Sequence, residues 1–310
     1  MKMYQYFCNT KPYVQLLILF ILSFVLMMIG AFVSALFLPL FSSVEDIMSN
    51  PTSVMTDVSF MRFMQGFTQV AYMLVPTLIF SFIFHGNIVE FLKLKFSKTQ
   101  LVASIFAIVA FFCFMPIIDL FTRWNNAIHL PESMQYIETM IREMGKQSED
   151  MIKLFLSDGS SVGVFLVNLL VMAVIPAVSE ELIFRGAIQQ TCQKWFGNPH
   201  WAIIVTAALF SFIHFDLFNF IPRFIMGILL GYIFYFTKSI WASILVHFMN
   251  NASVVVMTVF MGIEEMNNPM EYPSVIIEVV IITLTLIAGL AVMYYGKKYL
   301  KARTENNAVE

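Results

Sequence analysis

Two adjacent acids, Glu180 and Glu181, stand in PAVSEELIFRG (176–186), with Arg185 four residues after the second. Downstream, FSFIH sets His214 four residues after Phe210, and HFMNN sets Asn251 four residues after His247. A spacing of four puts both members of a pair on one face of a helix. An acid N-terminal to a base at that spacing is the favourable order for a helical ion pair, so Glu181 and Arg185 can neutralise each other. Glu180 points about 100° further round the helix. It is therefore free to face His214, His247 and Asn251.

That set has a chemistry. A carboxylate withdrawn from bulk water is a better proton acceptor from water. Glu180, assisted by His214, is suited to deprotonate a water that attacks a carbonyl. His247 and Asn251 supply an imidazole N–H and an amide N–H for the oxyanion that forms. The combination fits hydrolysis of a peptide bond without a covalent intermediate. Other hydrolase designs lack their residues. There is no HExxH, GSSV (159–162) lies in a polar connection, and Asp119 and Asp216 fall at helix ends rather than forming a transmembrane pair. Glu180, His214 and His247 are of types that ligate zinc. The favoured reading has no metal and no other cofactor; zinc or another divalent ion is the alternative.

The elements that must position these residues are membrane helices. Hydrophobic residues make up 59% of the 310 and charged residues 12%, about half the charged share of a soluble domain. Mean hydropathy is +0.79. The 18 basic and 20 acidic side chains give no sign of nucleic-acid binding, and Cys8, Cys113 and Cys192 form no disulfide framework. A spanning helix needs about 20 mostly apolar residues. Eight candidates lie near 13–41, 64–84, 101–120, 162–186, 201–215, 218–236, 240–261 and 274–296. With both termini inside, eleven Lys and Arg fall in inner segments and five in outer ones, Arg62 among the five. The expected fold is an all-α polytopic bundle of about eight transmembrane helices with both termini cytoplasmic. Residues 1–160 hold the N-terminal helices, 161–261 the motif-bearing core, and 262–310 the last helix and a disordered tail after Lys301.

Smaller features fit the same frame. Met134, Ile137, Ile141 and Met144 recur at helical spacing in the outer connection 121–160, which predicts an amphipathic helix on the outer surface. Gly227 and Gly231 form a GxxxG that lets a neighbouring helix approach closely. Pro176 can kink its helix one turn before Glu180. Arg223 sits near the outer end of its helix, where it can snorkel or serve the site.

The three motifs, EExxxR, FxxxH and HxxxN in that order within apolar segments, resemble those of the CPBP family of intramembrane proteases, also called the CAAX-protease and bacteriocin-processing or Abi family. The resemblance covers about 161–261. It implies an eight-helix endopeptidase with Glu180 and His214 activating water, His247 and Asn251 as oxyanion ligands, and Glu181, Arg185 and Phe210 in support. It also implies a multi-pass protein of a bacterial inner membrane whose partners are the lipid bilayer and a protein or peptide substrate, prenylated and CAAX-like in some relatives. Two other classes compete. A non-enzymatic bacteriocin-immunity or assembly protein would keep these residues for folding. A proton-coupled transporter would use them as a relay.

Overall fold

The structure is a computed structural model that describes residues 7–49, 56–157, 161–261 and 274–306. These form an all-α polytopic membrane bundle with no strand among the described residues. Seven helices are long and apolar enough to cross a membrane. They are α1 (Pro12–Ala35), α2 (Val58–His85), α3 (Lys98–Asn126), α5 (Val162–Phe196), α7 (Phe220–Thr237), α8 (Ile240–Met261) and α9 (Val275–Asn306). The predicted outer-surface helix is α4 (Gln135–Ser157), and the predicted fifth span is α6 (Pro199–Phe212).

At 14 residues, α6 is about 21 Å long, short of the roughly 30 Å hydrocarbon core. The chain completes that passage through the turn at 213–216 and a short 3-10 turn, Leu217–Asn219. Non-helical backbone at membrane depth is tolerated where protein covers it or a wet cavity takes it up. The interruption falls at His214.

Local signals set the helix starts. Asp57 accepts from Phe60 N at 2.9 Å and caps α2, and Asn198 accepts from His200 N at 2.8 Å and caps α6, each satisfying an otherwise orphaned N–H. Ser161 caps α5 by accepting from Val164 N; Gly159 and Ser160 of the GSSV stretch lie outside the described residues. The cap at Asp57 corrects one expectation. Arg62 is not in an outer connection but inside α2, buried, with Nε donating to Asn168 Oδ1 at 2.8 Å and Nη2 to the Phe155 carbonyl at 2.6 Å. The cation thus ties α2 to α4 and α5. At the far end of the chain α9 runs on through Asn306, so the expected tail after Lys301 continues as helix; residues 307–310 lie outside the described ones.

Contacts at the two ends agree with alternating crossings. Lys93 and Lys238, from the connections after α2 and α7, and Lys194, from the last turn of α5, line one cavity. At the other end Asn125 of α3 donates to the Leu217 carbonyl at 3.1 Å, and Arg123 pairs with Glu278 of α9. Arg223 neither snorkels alone nor stands free: it meets Asp216 at 3.1 Å, which Asn219 also contacts at 2.8 Å. The loop carrying His214 is thereby braced from both sides.

The GxxxG of α7 packs as expected. A Cβ on Gly227 would lie 3.0 Å from Ala207 Cα, and one on Gly231 2.8 Å from an Ile203 methyl. Gly227→Val is therefore expected to force α6 and α7 apart and lower stability by about 1–3 kcal/mol, read as a fall in Tm of the detergent-purified protein.

Helix α4 is moored through Glu138. Its carboxylate accepts from Leu130 N at 2.7 Å and from Arg142 Nε at 2.8 Å, and contacts His129 at 2.9 Å. The Leu130 N–H, followed by Arg142 and His129, holds the carboxyl at about 2 rather than the usual 4.5. A depressed folded-state value stabilises above the unfolded value and loses its effect as pH falls towards the folded one. The mooring is thus complete above about pH 4.5 and weakens towards pH 2. Tryptic cutting at Lys146 at neutral pH should be faster in Glu138→Gln than in wild type; equal rates would contradict the mooring.

Candidate active site

Helix α5 carries the two acids on a distorted stretch. Proline has no N–H and its ring crowds the carbonyl one turn back. The chain responds with a wider π-turn at Leu170–Val174 just before Pro176, mirrored in α2 by Val70–Leu74 before Pro76. A second π-helical segment, Leu182–Gln189, follows the glutamates directly. Such wide turns gather at functional sites, and here all eight residues of the second segment are buried.

Glu181 and Arg185 pair as expected, with Nη1 to Oε1 at 2.8 Å and both side chains almost wholly buried. Arg185 Nη2 also donates to the Gly227 carbonyl at 3.3 Å, and Gln189 Nε2 to the Gly231 carbonyl at 3.1 Å. The absent side chains of the GxxxG thus leave its carbonyls open to α5 as well as letting α6 approach.

His247 lies between the two acids. Its Nδ1 is 2.9 Å from Glu181 Oε1; a carboxylate only accepts, so Nδ1 carries the proton. That fixes the ring and turns Nε2 towards Glu180 Oε2 at 3.8 Å. The gap is too long for a hydrogen bond and short enough for one water to bond both atoms. Glu180 is 7% exposed and takes no part in the arginine pair. Its Oε1 accepts from Gln69 Nε2 at 2.9 Å.

Gln69 was not among the expected site residues. Gln65, Thr68 and Gln69 are three polar side chains in a five-residue stretch of a helix apolar enough to cross a membrane, the kind of exception that marks an intramembrane polar contact, and Gln69 is 7% exposed.

His214 sits two residues beyond α6, in the turn, and is exposed. Its Nδ1 is 2.8 Å from the Phe210 carbonyl. The last carbonyls of a helix lack intrahelical partners, so the FxxxH spacing lets the histidine ring satisfy one of them. Nδ1 then holds the proton and Nε2 keeps its lone pair. The Phe210 ring joins the three motifs: Arg185 lies over its face at 4.7 Å, and His214 and His247 meet it edge-on at 5.3 and 5.9 Å between centroids. Asn251 is one turn along α8 from His247, half-buried, with its carbonyl oxygen accepting from Asn250 at 3.1 Å. Its amide N–H groups make no hydrogen bond among the described residues.

Among the described residues no three His, Cys, Asp or Glu side chains gather as metal ligation requires. Immediately beside the site, an apolar groove of about 750 Å³ runs between α2 and α5. Val70 and Ile175 both line it; the first follows Gln69 and the second precedes Glu180 by five positions.

The family described as "Type II CAAX prenyl endopeptidase Rce1-like" matches residues 162–253, the stretch that holds all three motifs. A Bacillus subtilis (strain 168) protein named "Putative membrane peptidase YdiL" is 26% identical over 117 residues, which are 36% of this chain and 44% of the relative. The chain thus matches under half the length of that relative. No solved structure matches. The chain is a multi-pass helical membrane protein whose segment 162–253 matches the family model of the Rce1-like CAAX prenyl endopeptidases.

Proposed function

We propose that the protein is an intramembrane endopeptidase in which water activated by Glu180 attacks the scissile carbonyl. The observation that carries the reading is the position of Glu180: buried, outside the Glu181–Arg185 pair, held by Gln69 at 2.9 Å and 3.8 Å from His247 Nε2. A water against Glu180 loses its proton to the carboxylate, and the hydroxide adds to the carbonyl carbon. His214, with Nδ1–H given to Phe210, offers Nε2 as a second acceptor for that proton. The oxyanion faces Asn251 Nδ2 and His247; a ring protonated on both nitrogens gives one N–H to Glu181 and the other to substrate. The proton held by Glu180 then passes to the leaving amine as the C–N bond breaks. Glu181, Arg185 and Phe210 position His247 and carry no proton.

The substrate proposed is a membrane-associated peptide bearing an apolar, CAAX-like prenyl group. The groove between α2 and α5 has the lining and the volume for such a chain, and its lining residues Val70 and Ile175 lie close in sequence to Gln69 and Glu180. The proposed setting is a bacterial inner membrane, with 161–261 as the reactive core.

The test is cleavage of a peptide library, with and without a prenyl group, by the detergent-purified protein, with new termini read by mass spectrometry. Defined cuts by wild type and none by Glu180→Gln are expected. A phenotype in cells that survives Glu180→Gln at normal abundance would instead favour the immunity or assembly role. Activity that falls with a chelator and returns with zinc would overturn the metal-free reading.

A further inference from the structure

At the end of the bundle where the connections after α2 and α7 meet the last turns of α5, a polar cavity of about 440 Å³ is lined by Lys93, Lys194 and Lys238 together with Gln193 and Tyr235. It lies beyond the reaction site along α5: Glu181, Arg185 and Gln189 follow one another at intervals of four, and Gln189 forms part of its wall. Three like charges converge here, two from connections and one from the last turn of α5. None of the three lysines is ion-paired among the described residues, and the nearest acid in sequence to Lys93, Glu90, is engaged by Asn87.

Two further observations show that the lysines are placed rather than merely present. Lys93 and Lys238 have φ of 56° and 53°, a left-handed conformation that Gly or Asn ordinarily fills and that costs a longer side chain energy. The Lys238 ammonium lies 4.2 Å over the Tyr235 ring, and the Lys194 ammonium 5.5 Å over the Phe91 ring. Aromatic faces hold both ammonium groups without neutralising them. Burial, and after it the Lys93 charge, lowers the Lys238 amine from its usual value.

We propose that this cavity is an anion site for a phosphate group, carried either by an anionic phospholipid headgroup at the membrane surface or by free phosphate. Three ammonium groups match the oxygens of a phosphate as point charges, and the amide of Gln193, which makes no hydrogen bond among the described residues, adds a neutral donor. The site is separate from the proposed peptide hydrolysis and stands or falls independently of it.

Thermal unfolding of the purified full chain tests this in two arms. In detergent, inorganic phosphate is compared with sodium chloride at equal ionic strength. In nanodiscs, phosphatidylcholine alone is compared with phosphatidylcholine plus phosphatidylglycerol. Wild type is expected to gain several degrees in Tm in at least one arm. A control with Lys95, Lys98 and Lys298 changed to Gln, all exposed and outside the cavity, should gain as much. The cavity variant, Lys93→Gln with Lys194→Gln and Lys238→Gln, should not gain. A rise with phosphate alone assigns the free ion; a rise with phosphatidylglycerol alone assigns the headgroup. No rise for wild type in either arm overturns the site, as does an equal rise in the cavity variant. Should the triple change prevent folding, Lys194→Gln with Lys238→Gln serves, and the wild-type arms decide on their own.

Discussion

Glu180→Gln is expected to lower kcat/KM for peptide cleavage by about a hundred- to ten-thousandfold, with Tm and abundance unchanged. Glutamine has the same shape and retains a carbonyl oxygen for the Gln69 N–H that now meets Glu180 at 2.9 Å, so packing survives. What it cannot do is accept a proton from water. Gln69→Leu removes the group that orients the carboxylate and leaves the base itself; its loss in kcat should be smaller. An unchanged rate in Glu180→Gln would move the base to one of the imidazoles, with His214 Nε2 the next acceptor.

Arg185→Met should destabilise the folded protein by about 3–5 kcal/mol, the usual cost of removing one partner from a buried ion pair. Arg185 has no exposed surface, and its loss strips Glu181 of the cation 2.8 Å away. The effect spreads because Glu181 Oε1 also receives His247 Nδ1 and the guanidinium covers the Phe210 ring. Among the described residues Glu181 Oε2 and Arg185 Nε already lack hydrogen-bond partners, which leaves the pair with little reserve of hydrogen bonding. Glu181→Leu with Arg185→Met removes both charges of the pair together and should cost less than Arg185→Met alone. Denaturant unfolding in detergent across the double-mutant cycle measures the coupling. Additive losses would show that the pair does not act as a unit.

Much of the site is legible in the sequence because it is written in helical spacings. Glu181 and Arg185 are read from their interval, and Glu180 is left over by the same geometry. The interval between Phe210 and His214 is equally plain, but its meaning is not. It marks a ring that closes off a helix end, whereas the run FSFIHFDLF has no Gly or Pro to show that α6 stops at Phe212. Hydropathy alone misplaces Arg62, because a span judged from its apolar stretch begins later than the helix that Asp57 caps. Contacts across the bundle, such as Gln69 with Glu180 and His247 with Glu181, depend on which helices neighbour each other. Loop charges give the side of the membrane for Lys93, Lys194 and Lys238; their convergence on one cavity is a property of the packed bundle.

Cleavage of a susceptible peptide in ¹⁸O-labelled water, with hydroxylamine present, probes the proposed hydrolysis at its central step. Direct attack by water predicts one ¹⁸O in the new carboxyl terminus, no hydroxamate, and no product from Glu180→Gln. A hydroxamate would reveal an acyl-enzyme, and that result, or labelled product formed at the wild-type rate by Glu180→Gln, would contradict water activation by Glu180.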